Sequence, residues 1–228
     1  MKKAKKYTFW HIMHTKKYAL NTVTLCFGIM VTSLVNYGIL FNMEKLTGSL
    51  YLNNIVFGII RWAMNITVGV LDYKVERLGR KHINIFSESF NLVCLGIVFV
   101  VFYGGTQLTN ANLIRVCSIA VTSMCAQVYI AKFMTTTEWY PTAVRNLASA
   151  ALSMSSRIGT IFGPMLFYLS DLHPSYPYLA LAILVTIDMI GFQFIIEETK
   201  GKLLENHLPT KKRERRHSII DRRPSIAE

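Results

Sequence analysis

The stretch YALNTVTLCFGIMVTSLVNYGILFNM, Tyr18 to Met43, carries no charged residue. A second charge-free stretch, SFNLVCLGIVFVVFYGGTQLTNANLI, runs from Ser89 to Ile114. Both exceed the ~20 mostly apolar residues that a helix needs to cross a bilayer. Working outward, four further apolar runs can be read between breakers. The six expected spans are residues 19–41, 50–71, 83–102, 113–133, 147–170 and 178–196. Gly48-Ser49 separates the first two, Gly104-Gly105 follows the third, and Asp171 to Pro177 divides the last pair. Backbone polar groups in lipid must be satisfied within each segment, so the expected architecture is all-α. It is a polytopic membrane protein with six transmembrane helices.

Composition agrees with that reading. Of 228 residues, 52% are hydrophobic and only 17% are charged, against about a quarter charged in a soluble domain. A net charge of +12 would ordinarily raise nucleic-acid binding. The basic residues instead sit beside apolar spans, so no nucleic-acid partner is expected. Cys26, Cys94, Cys117 and Cys125 all fall inside apolar runs, without metal-ligand spacing or C-x-x-C, and read as free thiols. The segment Met1 to Lys17 is basic and lacks the apolar core of a cleavable signal.

Lys and Arg set the expected orientation. Lys2, Lys3, Lys5, Lys6, Lys16 and Lys17 precede the first span. Lys74, Arg77, Arg80 and Lys81 follow the second, Arg145 follows the fourth, and a basic tail starts at Lys200. The alternate loops offer only Lys45, with Arg115 at the mouth of span four. Both termini are therefore expected on the cytosolic side. The resulting division is a basic cytosolic segment over residues 1–18, a six-helix membrane domain over 19–200, and a basic tail over 201–228 whose composition reads as disordered.

Two segments carry more than composition. Glu76-Arg77-Leu78-Gly79-Arg80-Lys81 lies between spans two and three. It resembles the D-R-x-G-R-R/K loop of major-facilitator proteins, with Glu76 where Asp is usual and Asp72 as a second acid just upstream. Thr137-Glu138-Trp139-Tyr140-Pro141-Thr142-Ala143-Val144-Arg145-Asn146 resembles the E-x-Y-P-T-x-x-R-N signature of the organic cation/anion/carnitine transporters, a solute-carrier family of the major facilitator superfamily. Ser156-Arg157-Ile158-Gly159, Gly163-Pro164 and Glu198-Thr199-Lys200-Gly201-Lys202 extend the match. The resemblance implies that the six spans are helices seven to twelve of a twelve-helix transporter, the C-terminal half of a major-facilitator bundle. The implied partners are a small organic ion and a complementary N-terminal half or another transporter chain. It also implies a conformational role for Asp72, Glu76, Arg77, Gly79, Arg80, Glu138 and Arg145, with Glu138 and Arg145 able to pair across their turn.

Arg157 lies near the middle of span five, where a cation costs at least ~2.5 kcal/mol. It faces either a cavity or a structural partner, for which Asp188 and Glu88 are the candidates. The resemblance implies a substrate-binding position, often basic in the family's anion and carnitine branches. Asn36-Tyr37-Gly38 matches a polar and aromatic stretch of the family's substrate path, so Asn36 and Tyr37 join Arg157 as expected binding residues. Arg61 fits a buried pair or a cavity lining equally. Lys132, near the end of span four, reads as a snorkelling side chain. Gly159-x-x-x-Gly163 has the small-xxx-small spacing of close helix contact. Asn65-Ile66-Thr67 is a glycosylation sequon inside a span and is discounted. No nucleophile elbow, paired carboxylates or phosphate loop is visible, so neither an enzyme nor a cofactor or metal is expected. In the tail, Arg215-Arg216-His217-Ser218 and Arg222-Arg223-Pro224-Ser225 suit basophilic kinases, and the tail's charge suits anionic lipid. The alternative functional reading is a non-transporting membrane protein that regulates or scaffolds a full-length relative.

Overall fold

The structure is a computed structural model that describes residues 16–42, 50–74 and 79–196. Glu76, Arg77, the Glu198 to Lys202 motif, Ser218 and Ser225 lie outside the described residues, as does the side chain of Asp72.

Six long helices account for almost all of it. They are α1 (Lys16–Phe41), α2 (Leu50–Lys74), α3 (Arg80–Tyr103), α4 (Ala111–Trp139), α5 (Thr142–Leu166) and α6 (Tyr176–Ile195). Their number and order match the expected runs, but several continue into polar flanks. The largest extension is in α4, which runs on through Glu138 instead of ending near Phe133. The fifth helix, by contrast, stops at Leu166 and gives way to a 3₁₀ turn, Phe167–Asp171. Pro164 lies just before that change. It lacks the N–H that would bond the carbonyl one turn back, which loosens the last turn.

Four helices are long and apolar enough to cross a membrane by length and composition: α1, α3, α4 and α6. The other two, α2 and α5, are as long but carry a polar face. On α5, Ser149, Ser153, Ser156 and Thr160 recur at helical spacing, beside Arg157. The adjoining face presents Val144, Ala148, Leu152, Gly159 and Gly163, all buried.

That small-residue face seats α5 on α1, the most extensive helix pair. A Cβ at Gly159 would lie 2.8 Å from the Ser33 Cβ and collide with the Met30 carbonyl, and one at Gly163 would lie 3.0 Å from the Leu34 carbonyl oxygen. The Gly159-x-x-x-Gly163 spacing therefore serves backbone approach. Helix α3 packs on α4 and α6, α1 also meets α4 and α6, and α2 leans on α4.

The packed interior has two apolar clusters. Leu34, Val35, Ile39, Leu95, Val98, Val121, Tyr178, Leu181 and Val185 form one. Leu25, Ile29, Tyr140, Val144, Ala148, Leu152, Phe192 and Ile196 form the other. Between them, on α1, α4 and α6, stand Thr32, Lys132 and Asp188. The exterior is apolar in turn: Phe86, Val93, Val100, Ile183, Ile187 and Phe194 are exposed, Phe194 by 84%. Apolar outside with charge inside is the arrangement that lipid imposes.

Candidate functional site

Three polar arrangements occupy the bundle. The first is a pocket of about 360 Å³ between α1, α2, α4 and α5, lined by Asn36, Tyr37, Arg61, Tyr129, Phe133, Ser153, Ser156, Arg157 and Thr160. Residues far apart in sequence from four helices meet here, with Ser153 and Arg157 on the exposed side of the cavity. The three expected binding residues, Asn36, Tyr37 and Arg157, line one cavity. Arg61 lines it too, which selects the cavity side of its two readings. Its guanidinium carbon sits 5.8 Å from the centroid of the Phe57 ring one turn away, at cation–π range.

The floor of the pocket is tied by hydroxyls. Ser33 Oγ lies 2.9 Å from Ser156 Oγ, and Tyr129 Oη lies 3.4 Å from the same atom and in contact with Ser33. This fixes α1, α4 and α5 around the cavity. Asn36 is buried and its Oδ1 has no hydrogen-bond partner among the described residues. Among the described residues neither Arg61 nor Arg157 has an acidic partner. The expected pairing of Arg157 with Asp188 or Glu88 is not formed, because both acids lie on the other side of α1 and α4, around Lys132.

That cluster is the second arrangement. Lys132 Nζ donates to Asp188 Oδ2 and, at 3.3 Å, to Thr32 Oγ1, and it stands 3.0 Å from Glu88 Oε1. The Lys132 side chain is 0% exposed, Glu88 2% and Asp188 3%. The snorkelling reading of Lys132 is therefore corrected. The residue points into the bundle, where two carboxylates from α3 and α6 hold it. Gly28 makes room for it, since a Cβ there would lie 2.7 Å from Nζ. A lysine one or two turns from a helix end looks alike in sequence whether it faces lipid or protein. Only the two acids, each alone on a charge-poor helix, hinted at the second.

The third arrangement joins the two sequence motifs. Arg80 Nε and Nη2 donate to Glu138 Oε1 at 3.1 and 2.9 Å, binding the start of α3 to the end of α4. Glu138 thus pairs with Arg80 and not with Arg145, whose Nε and Nη2 have no hydrogen-bond partner among the described residues. Gly79 is the extended residue just before α3. Lys81 Nζ donates to the Gln193 carbonyl of α6 at 2.9 Å. Pro141 divides α4 from α5, and its carbonyl accepts the N–H groups of Val144 and Arg145. Tyr140 is buried, its hydroxyl bonded to Thr22 Oγ1, while Trp139 meets Tyr18 edge-on at 4.7 Å. Sequence reading assigned the motif to conformational change and missed this anchoring of α1.

The sequence profile of the sugar (and other) transporter family matches residues 19–208. The chain belongs to that family. It is a family of membrane transporters, not of enzymes. Relatives in solute carrier family 22 match over most of the chain. Member 4 from Mus musculus is 26% identical over 219 residues, 90% of this chain and 35% of that protein. A member 15-like protein from Xenopus tropicalis is 30% identical over 184 residues, 79% of this chain and 36% of that protein. Member 2 from Mus musculus is 25% identical over 221 residues, covering 92% and 38%. The transporter-family chain thus spans little more than a third of the length of these curated relatives.

Proposed function

We propose that this chain forms the C-terminal half of an alternating-access transporter for organic ions, and that its Arg157 pocket receives the anionic group of an organic anion. The observation that carries the reading is the pairing of two guanidiniums, Arg61 and Arg157, in one cavity with no acid among the described residues to neutralise them. Guanidinium forks match carboxylates geometrically. Asn36, Ser153 and Thr160 add neutral hydrogen-bonding groups, and Tyr37 and Phe133 offer ring faces to the organic part. In transporters of this kind substrate sits near the midplane between two halves that rock against each other. The polar faces of α2 and α5 suit that use, with all six helices crossing the bilayer and both termini cytosolic.

The Arg80–Glu138 pair is then a latch on the cytosolic face. Asp72, Glu76, Arg77, Gly79 and Arg145 belong to the same conformational apparatus. The basic tail binds anionic lipid at the plasma membrane, and phosphate on Ser218 and Ser225 would weaken that attraction by offsetting its charge.

A substitution series tests the pocket in the chain joined to a complementary N-terminal half. Arg157→Ala should lower organic-anion uptake about tenfold or more at equal surface expression, since charge-assisted hydrogen bonds contribute ~1.5–3 kcal/mol. Arg157→Lys should retain part of it, and Arg157→Asp should abolish it. Unchanged uptake kinetics for Arg157→Ala would remove the residue from the site.

A further inference from the structure

We propose that Glu88 is a proton-binding site of the bundle, held as a neutral carboxylic acid while Lys132 and Asp188 form the ion pair beside it. The cluster has two carboxyl groups and one ammonium, all within the packed interior. With both acids ionised, one negative charge would lie there uncompensated, and such a charge is too costly to hold without a counter-charge or a proton. Hydrogen bonding distinguishes the two acids. Lys132 donates to Asp188 Oδ2 and to Thr32. Glu88 Oε1 also stands 3.0 Å from the ammonium, but among the described residues Lys132 directs no well-aligned hydrogen bond at either Glu88 oxygen. Asp188 is the carboxylate that Lys132 serves, and Glu88 is the one left to carry the proton.

The surroundings suit an acid with a proton to give. Glu88 and Asp188 line a small cavity together with Thr32, Asn91 and Cys125. Asn91 Oδ1 is a buried acceptor without a partner, while its Nδ2 donates weakly to Cys125 Sγ at 3.7 Å. It stands one turn beyond Glu88 on α3 and lines the same cavity, an acceptor within reach of the acid's O–H through a water molecule. Lys132 and Cys125 from α4 and Asp188 from α6 are the titratable groups that face Glu88, and α1 contributes only the Thr32 hydroxyl.

A route to the site follows α3. Arg80, Asn84, Glu88 and Asn91 recur at helical spacing on one face. Asn84 is fully buried with both amide atoms unpartnered, and Arg80 holds Glu138 at the end of the stripe. This buried polar file leads from the Arg80–Glu138 pair to Glu88. Loss of the proton would leave a second carboxylate competing with Asp188 for Lys132. That competition would alter the spacing of α3, α4 and α6, which the Arg80–Glu138 pair and the Lys81–Gln193 bond also tie together at that end. The step is one proton leaving the Glu88 carboxyl for solvent, with no other bond made or broken. It does not depend on what the Arg157 pocket takes.

Infrared spectroscopy of the purified full chain tests the proposal without any transport assay. At neutral pH the wild type should show a carboxylic-acid carbonyl band that shifts when glutamate carries ¹³C in its side-chain carboxyl. Glu88→Gln should lose the band. Asp188→Asn should lose it as well, because Lys132 then serves Glu88 and draws off its proton. An absent glutamate acid band in the labelled wild type would overturn the proposal, and so would a band that persists in Glu88→Gln. If Glu88→Gln does not fold, the labelled wild type and Asp188→Asn decide alone. The labelled band and its loss in Asp188→Asn support the assignment, whereas its persistence there overturns it.

Discussion

Lys132→Ala should destabilise the folded chain by about 3–5 kcal/mol, the usual cost of removing one partner from a buried ion pair. The substitution deletes the cation that Asp188 bonds and that Glu88 approaches, and leaves acid in the layer between the two apolar clusters. The remaining choices are an unpaired buried carboxylate, a proton taken up to neutralise it, or partial opening of α3, α4 and α6 to water. Each raises the free energy of the folded state. The charge itself, more than the lost methylenes, should be responsible. Lys132→Met combined with Asp188→Asn removes both charges and fills the space, so it should recover most of the loss. Thermal unfolding of the purified chain in detergent reads the difference. Wild-type stability in Lys132→Ala would mean that the cluster is not formed as described.

Gly159→Leu should be comparably severe for a different reason. A Cβ at this position would meet the Met30 carbonyl and the Ser33 Cβ, and a full side chain would force α5 away from α1. Overpacking costs typically ~1–3 kcal/mol. Here the obstruction is largely backbone, which cannot step aside as a rotamer does, so the upper end or beyond is expected. The hydroxyl cluster of Ser33, Tyr129 and Ser156 would separate with the helices. Gly96 is the control, because a Cβ there would meet nothing within 4 Å. Gly96→Ala should leave the chain monodisperse in size-exclusion chromatography, whereas Gly159→Leu should aggregate or fail to accumulate. Equal behaviour of the two would refute the close α1–α5 contact.

These residues also mark where sequence reading succeeds. Apolar runs broken by Gly and Pro locate six helices because a span must bury its own backbone polar groups. Asn36, Tyr37 and Arg157 could be singled out since a polar side chain in such a run needs a reason to be there. Pairing was far less legible. Lys132 and Asp188 are 56 residues apart, and Arg80 and Glu138 are 58 apart. Whether a charge meets another charge, a cavity or lipid depends on the rotation of each helix about its axis. That rotation is set jointly by neighbours such as the Gly159–Gly163 face. Local spacing suggested Glu138 with Arg145, and the cost of an intramembrane charge suggested for Arg157 either a cavity or a partner in Asp188 or Glu88. The bundle instead gives Glu138 to Arg80 and Asp188 to Lys132, and leaves Arg157 with a second cation in a pocket. Tyr140 was similarly opaque, since nothing in its motif says that its hydroxyl reaches Thr22 on the first helix.

The most direct test of the central claim, that this chain is one half of an organic-anion transporter, is an uptake measurement on two preparations in matched proteoliposomes. One contains the chain alone, and the other contains it joined to the N-terminal half of a family 22 relative. The chain alone should show no saturable uptake of a labelled organic anion. The joined protein should show saturable uptake that is lost on Arg157→Asp. A joined protein that folds, reaches the membrane and still moves no organic anion would contradict the transporter reading and favour a regulatory or scaffolding role.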